Sequence, residues 1–77
     1  MTSRYEIVTY SRDTGSDEHG NFSRKATAIR YAQSFRKSED YAAVYDYLTR
    51  TATVIFGDIY APVFNENITV LPLQQNI

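Results

Sequence analysis

The residues best equipped for chemistry crowd into one stretch, RDTGSDEHGN (12–21), where Asp13, Asp17, Glu18 and His19 place oxygen and nitrogen donors close together. Such donors hold a metal only at the right spacing. Counting from Asp13, the place that an EF-hand calcium loop reserves for glycine is Glu18, and the closing place reserved for a bidentate glutamate is Arg24. Zinc fits no better, because His19 is the only histidine and the chain has no cysteine. The stretch holds two of the three glycines and no apolar residue, the composition of an exposed, mobile, solvated loop. Nucleophilic catalysis also lacks its parts: there is no thiol, and nothing in the sequence pins His19 against a serine. Gly15 and Gly20 do not form a phosphate-cradling pattern, and Gly57 stands alone in a predicted strand, where it marks a bulge or a close backbone approach. A chain this short is also ill suited to enclosing a pocket of several hundred Å³ while packing a core. The expectation is a protein that is not an enzyme and uses no metal and no cofactor.

A second set of residues suits binding. Tyr5, Tyr10, Tyr41, Tyr45, Tyr47 and Tyr60 lie on or beside predicted strands. Tyrosine offers a protein partner a large contact area at low entropy cost and keeps a polar tip. Aromatic side chains on an open sheet also stack single-stranded bases, with basic helix residues holding the backbone. The strands carry almost no Lys or Arg, Asp46 and Asp58 sit within them, and no basic aromatic consensus like that of the RNA-recognition motif is visible. The partner-binding residues expected from this reasoning are Tyr45 and Tyr47 on the sheet, with Arg30 and Lys37 on the outer face of a helix.

That helix is the long periodic stretch SRKATAIRYAQSFRK (23–37), which the other elements must position. Ser23 is the expected N-cap, and Arg36 and Lys37 complement the negative end of the helix dipole. Ala28, Ile29, Tyr31, Ala32 and Phe35 recur at three- and four-residue steps as one apolar stripe, opposite Arg30, Gln33, Ser34 and Lys37. A lone helix of this length is marginal in water and needs a hydrophobic partner surface. Strands on either side supply it. YEIVTYS (5–11) is the first, and Phe22 precedes the N-cap to close the helix start against the core. After a polar break at Glu39 and Asp40, YAAVYDYL (41–48) and ATVIFGDIY (52–60) read as two more strands. Their joint at Thr49, Arg50 and Thr51 lacks Gly, Asn and Asp, so a longer loop or a bulge is expected rather than a tight primed turn. Neither strand has a clean polar face: Ala43, Tyr45 and Tyr47 oppose Ala42, Val44 and Leu48, and Ile55 and Ile59 oppose Val54 and Phe56. One helix covers one face, which leaves aromatic and aliphatic side chains on the other. Pro62 and Pro72 bracket a segment in which Ile68 to Leu71 form a short fourth strand, confined to an edge, or an extended arm packed in cis or across a second copy.

Composition bounds the rest. Seventy-seven residues make one domain, 1–77, with a core at 5–60 and an extended segment or edge strand at 61–77. No apolar run spans a bilayer and the start MTSRYEIV lacks the apolar core of a signal peptide, so a soluble, cytoplasmic protein with no membrane partner is expected. The sequon Asn67-Ile68-Thr69 then carries no consequence. The net charge of -1 is unevenly divided: residues 1–38 carry seven basic and four acidic groups, and residues 39–77 one basic and five acidic. Strands apolar on both faces and the C-terminal segment make a homodimer the expected state.

In size, in its lack of a catalytic motif and in its β-α-β-β order over residues 5–60 with a tyrosine-rich sheet, the chain resembles the small accessory proteins of phages and other mobile elements, among them anti-CRISPR inhibitors. That resemblance implies action by binding and occluding a larger host protein assembly, without a cofactor. The sequence thus predicts an α+β fold, β-α-β-β(-β), with a small, largely antiparallel sheet of three or four strands and one helix on one face. Its core is Ile7 or Val8, Ala28, Ala32, Phe35, Val44, Val54 and Phe56. The function expected is that of a non-catalytic protein-binding module, an inhibitor or adaptor. The alternative is a single-stranded nucleic-acid-binding module.

Overall fold

A computed structural model describes residues 4–57 and 68–73. The fold is α+β: one helix lies on a five-stranded, mostly antiparallel sheet. The elements are β1 (Tyr5–Ser11), β2 (Gly15–Phe22), α1 (Lys25–Gln33), β3 (Tyr41–Asp46), β4 (Thr51–Phe56) and β5 (Thr69–Pro72). The strand order is β2-β1-β3-β4-β5, with only the β4–β5 pair parallel.

The largest departure from expectation is β2. The stretch 12–21 is not a loop but the turn and most of the second strand of a hairpin, with Ser11 opposite Gly15 and Val8 opposite Glu18. Its turn is Arg12, Asp13 and Thr14, followed by Gly15 at φ 83, a left-handed position that glycine occupies without steric cost. Asp40 fastens the turn from outside by accepting the Arg12 amide at 2.8 Å. A second left-handed glycine, Gly20 at φ 62, lies where the register slips between Tyr5 and Ile7. An edge strand needs no apolar side chains to hold its backbone ladder, so polarity was a poor guide here.

The helix is shorter than its periodic pattern. Its N-cap is Arg24, in extended conformation with no side-chain cap, so Ser23 does not cap it. Beyond Gln33 the amides of Phe35, Arg36 and Ser38 bond to carbonyls three residues back, a tightened continuation. The Ser34 hydroxyl donates to the Tyr31 carbonyl at 2.6 Å, which competes with the regular ladder. The helix phase holds. Ala28 and Ala32 are buried against Tyr5, Ile7, Ala42, Val44 and Ile55, with Phe22, Ile29, Phe35 and Phe56 half-buried around them, while Arg30 and Lys37 are exposed. Tyr31, expected in the buried stripe, is 53 % exposed and instead links the rings of Phe22 and Phe35 at 5.6 and 5.8 Å.

The predicted strand 41–48 stops at Asp46, and its successor runs from Thr51 to Phe56. Residues 47–50 form the longer turn expected at this joint, with Arg50 at φ 55. A register shift at Ala42 and Ala43 lets Ile55 and Phe56 both join the helix-side core. Gly57, at φ 94, lies so close to Asp40 and Tyr41 that an added Cβ would come within 2.4 Å of the Asp40 carbonyl oxygen. That is the close backbone approach inferred from the lone glycine. β5 is an edge strand on the chain's own sheet, so this part of the C-terminal segment packs in cis. Asp58, Ile59, Tyr60 and the stretch from Pro62 to Asn67, including Asn67 of the sequon, lie outside the described residues.

Candidate functional site

Alternation along the strands sends Glu6, Val8 and Tyr10 of β1 away from the helix. Register places Glu18 beside Val8, Tyr45 beside Glu6, Ala43 beside Val8 and Tyr41 beside Tyr10. On this helix-free face Tyr41, Ala43 and Val54 form a second, smaller buried cluster, with Tyr10 and Val70 packed against it. Toward the end where β3 turns into β4, the surface becomes aromatic and acidic. The Tyr45 and Tyr47 rings meet edge to face, with centroids 4.6 Å apart and planes at 80°. The Tyr47 hydroxyl donates to Glu6 Oε1 at 2.8 Å. Withdrawal of that hydroxyl from water, then the bond to Glu6 and the negative charges of Glu6 and Glu18, push the phenol up to about 12. The ring itself stays 47 % exposed, and Leu48 beside it is 73 % exposed.

Tyr47 sits in a turn, yet its position is fixed by Asp46, the last residue of β3. The Asp46 carboxylate is buried, accepts Arg4 Nε and Nη2 at 2.9 Å each, and accepts the Leu48 amide at 2.9 Å. Its backbone carbonyl takes the Arg50 amide, and the Arg4 carbonyl takes the Tyr47 amide at 3.0 Å. The two-pronged bond from Arg4 holds the Asp46 carboxyl down to about 2, with help from the Leu48 amide and Thr49 against the cost of burial. This acid, which looked out of place in a strand, locks the turn that presents Tyr47.

The four residues selected from sequence do not form one surface. Tyr45 and Tyr47 are brought together on the helix-free face, whereas Arg30 and Lys37 are exposed on the helix side of the sheet. Glu6 and Glu18 escaped sequence reasoning. Glu6 was visible as an outward strand residue opposite a tyrosine, but Glu18 could be placed only by recognising the hairpin signal in Asp13-Thr14-Gly15.

His19 is pinned after all. Its Nε2 lies 2.8 Å from the Thr9 hydroxyl, and its ring lies 4.5 Å from that of Phe35. Thr9 is 0 % exposed, so the pair lies beneath the surface of the helix-side face. A groove of about 370 Å³ between α1 and β5 is lined by Lys25, Ile29, Thr53, Leu71, Pro72 and Leu73, a volume not expected of so short a chain. It holds one charge and one hydroxyl, too few converging polar groups to define a reaction. Among the described residues no cluster of acids and histidine is placed to hold a metal, and no helix is long and apolar enough to cross a membrane.

Comparisons with protein-family models, with curated proteins and with solved structures found no match.

Proposed function

We propose that this protein is a non-catalytic protein-binding module whose contact surface is centred on Tyr45 and Tyr47. The observation that carries this reading is the half-exposed Tyr47 ring, held in place by Tyr45, by Glu6 and by the Asp46 turn. An aromatic side chain already fixed in its bound orientation loses little entropy on docking, which is how anchor residues of interfaces gain their strength. Leu48 extends the surface with apolar area. Arg30 and Lys37, on the far side of the sheet, are outside this contact. Inhibition of a host assembly, in the manner of anti-CRISPR proteins, rests on the resemblance in size, and β2 changes the element order on which that resemblance also drew.

The same tyrosines suit base stacking, but their acidic setting favours a protein. Glu6 and Glu18 flank the rings, and the strand positions of this face among the described residues carry no Lys or Arg to receive phosphates. The test is a pull-down from host lysate with and without nuclease. A stoichiometric protein complex is expected that survives nuclease and is weakened by about 2 kcal/mol in Tyr47→Ala. Recovery of nucleic acid alone, with oligonucleotide affinity falling steeply with salt, would overturn the reading.

A further inference from the structure

Among the described residues, neither carboxylate beside the tyrosines is in an ion pair. Glu6 and Glu18 project from adjacent strands on the same side, Glu18 opposite Val8 and Glu6 two residues before it, and like charges so placed repel. Of the described strand residues sharing that face, none is basic. Arg4, the base nearest Glu6 along the chain, is already committed to Asp46, and Arg50, in the turn that carries Tyr47, forms no ion pair with either glutamate. The opposite side of the molecule has the reverse character. Residues 23–38 contain Arg24, Lys25, Arg30, Arg36 and Lys37 and no acid.

The protein also shows twice how it holds a guanidinium. Arg4 lies over the Tyr5 ring at 5.1 Å while its fork grips the Asp46 carboxylate, and Arg36 lies over the Phe56 ring at 5.2 Å. A ring face with a carboxylate beside it is a cation site, because the negative face of the π system and the carboxylate charge act together. At Tyr47 an exposed aromatic ring likewise has a carboxylate close by, Glu6, bonded to its hydroxyl. Tyr47 engages one Glu6 oxygen, and a carboxylate accepts several bonds, so Glu6 can serve both the phenol and a cation.

We propose that this cluster is a subsite for one cationic side chain, a lysine or arginine of the partner protein, seated against the Tyr47 ring with Glu6 and Glu18 as its counter-charges. The inference rests on the protein-binding reading and adds the chemistry of what is bound. The ring supplies the contact and Glu6 and Glu18 the preference for positive charge. The neighbouring Leu48 meets the aliphatic stem that such side chains carry.

The experiment is a titration of the purified protein with a short arginine- and lysine-containing peptide, and with the same peptide in which citrulline and acetyl-lysine replace the charged residues. Binding of the charged peptide is expected, with a roughly tenfold loss in Tyr47→Ala and a several-fold loss in Glu6→Gln and in Glu18→Gln. Asp13→Asn, an exposed acid in the β1–β2 turn, should leave affinity unchanged, which separates a site from general attraction to an acidic surface. Equal loss in Asp13→Asn, or equal binding of the neutral peptide, overturns the proposal. Sedimentation without peptide covers a second copy of this chain as occupant. Self-association that disappears in Glu18→Gln would place the basic residues 24–37 of another copy in the site and overturn the assignment to a different protein. A protein complex captured through Tyr47 but indifferent to Glu6→Gln and Glu18→Gln would sink the cation subsite while leaving the binding module standing.

Discussion

The two faces of the sheet come from the same strands, yet they are finished differently. On the helix side Ile7, Ala42 and Val44 meet Ala28 and Ala32, all buried, and their side chains end in methyl groups. Small residues on both surfaces let the helix approach the sheet closely, so the contact is dense and has no use for water. On the other side only a small patch around Tyr41, Ala43 and Val54 is buried, and the surface away from it ends in phenols and carboxylates. Tyrosine tolerates this because its ring is apolar and its tip is not. Stability is thus concentrated on one face, and the other is left free to vary its contacts.

The largest expected effect tests that division directly. Ile7→Ala removes a fully buried side chain from beneath the helix and should cost about 2–5 kcal/mol in chemical denaturation, a large part of what a small domain has. Tyr47→Ala, on the other face, should leave the denaturation midpoint within about 1 kcal/mol of the parent. Equal losses in the two would break the comparison.

Gly57 comes next, just after β4, where the backbone of Asp40 and Tyr41 lies against it. An alanine Cβ there would lie 2.4 Å from the Asp40 carbonyl oxygen and 2.8 Å from the Tyr41 Cα, both backbone atoms that cannot swing away. Gly57→Ala should therefore cost about 2–3 kcal/mol. Gly15→Ala has the same sign of φ but nothing within 4 Å of the new atom, and should cost only about 1 kcal/mol.

What was legible in the sequence follows the same division. The helix phase could be read from Ala28, Ala32 and Phe35 because burial on one side leaves a period. The backbone approach at Gly57 could be read because glycine weakens a strand interior and stands there where a bulge or a close contact requires it. The hairpin strand at 15–22 left no such trace. Its stability comes from backbone pairing with β1, which is silent about side chains, and within the strand His19 and Phe22 alone carry rings. The tyrosines of the binding face were visible as types, but their grouping with Glu18 depended on that missed strand. Asp46 was read as a mark against nucleic acid when its task is to hold the turn, a role set by Arg4, 42 residues away in the chain.

The Asp46 latch lets the support of the binding face be separated from the core by pH. Its carboxyl falls from an ordinary 3.8 to about 2 in the folded state, so its contribution is fully present above about 4 and is lost as pH falls toward 2. The Arg4 side chain is 43 % exposed, so solvent screens the pair and the contribution is smaller than that of a buried pair. Asp46→Asn should lose that contribution at neutral pH and show a correspondingly flatter decline between pH 4 and 2, measured by thermal unfolding. A decline as steep as the parent's would mean that other carboxylates carry the acid sensitivity.

The smallest effect bears on the tip of Tyr47 alone. Tyr47→Phe keeps the ring against Tyr45 and removes only the hydrogen bond to Glu6, an exposed contact that should cost less than about 1 kcal/mol. Its clearer signature is spectroscopic. The folded phenol is raised from 10 to about 12, so ultraviolet titration of the parent should show a late ionisation whose amplitude falls by one tyrosine in Tyr47→Phe. The folded state prefers the protonated phenol, so the associated stability is intact below about 10 and declines as pH rises toward 12. Glu6→Gln keeps an acceptor for the hydroxyl but removes the charge, and should move the late step part of the way back. A late step of unchanged amplitude in Tyr47→Phe would belong to other tyrosines, such as the buried Tyr41, and would detach Glu6 from the aromatic pair.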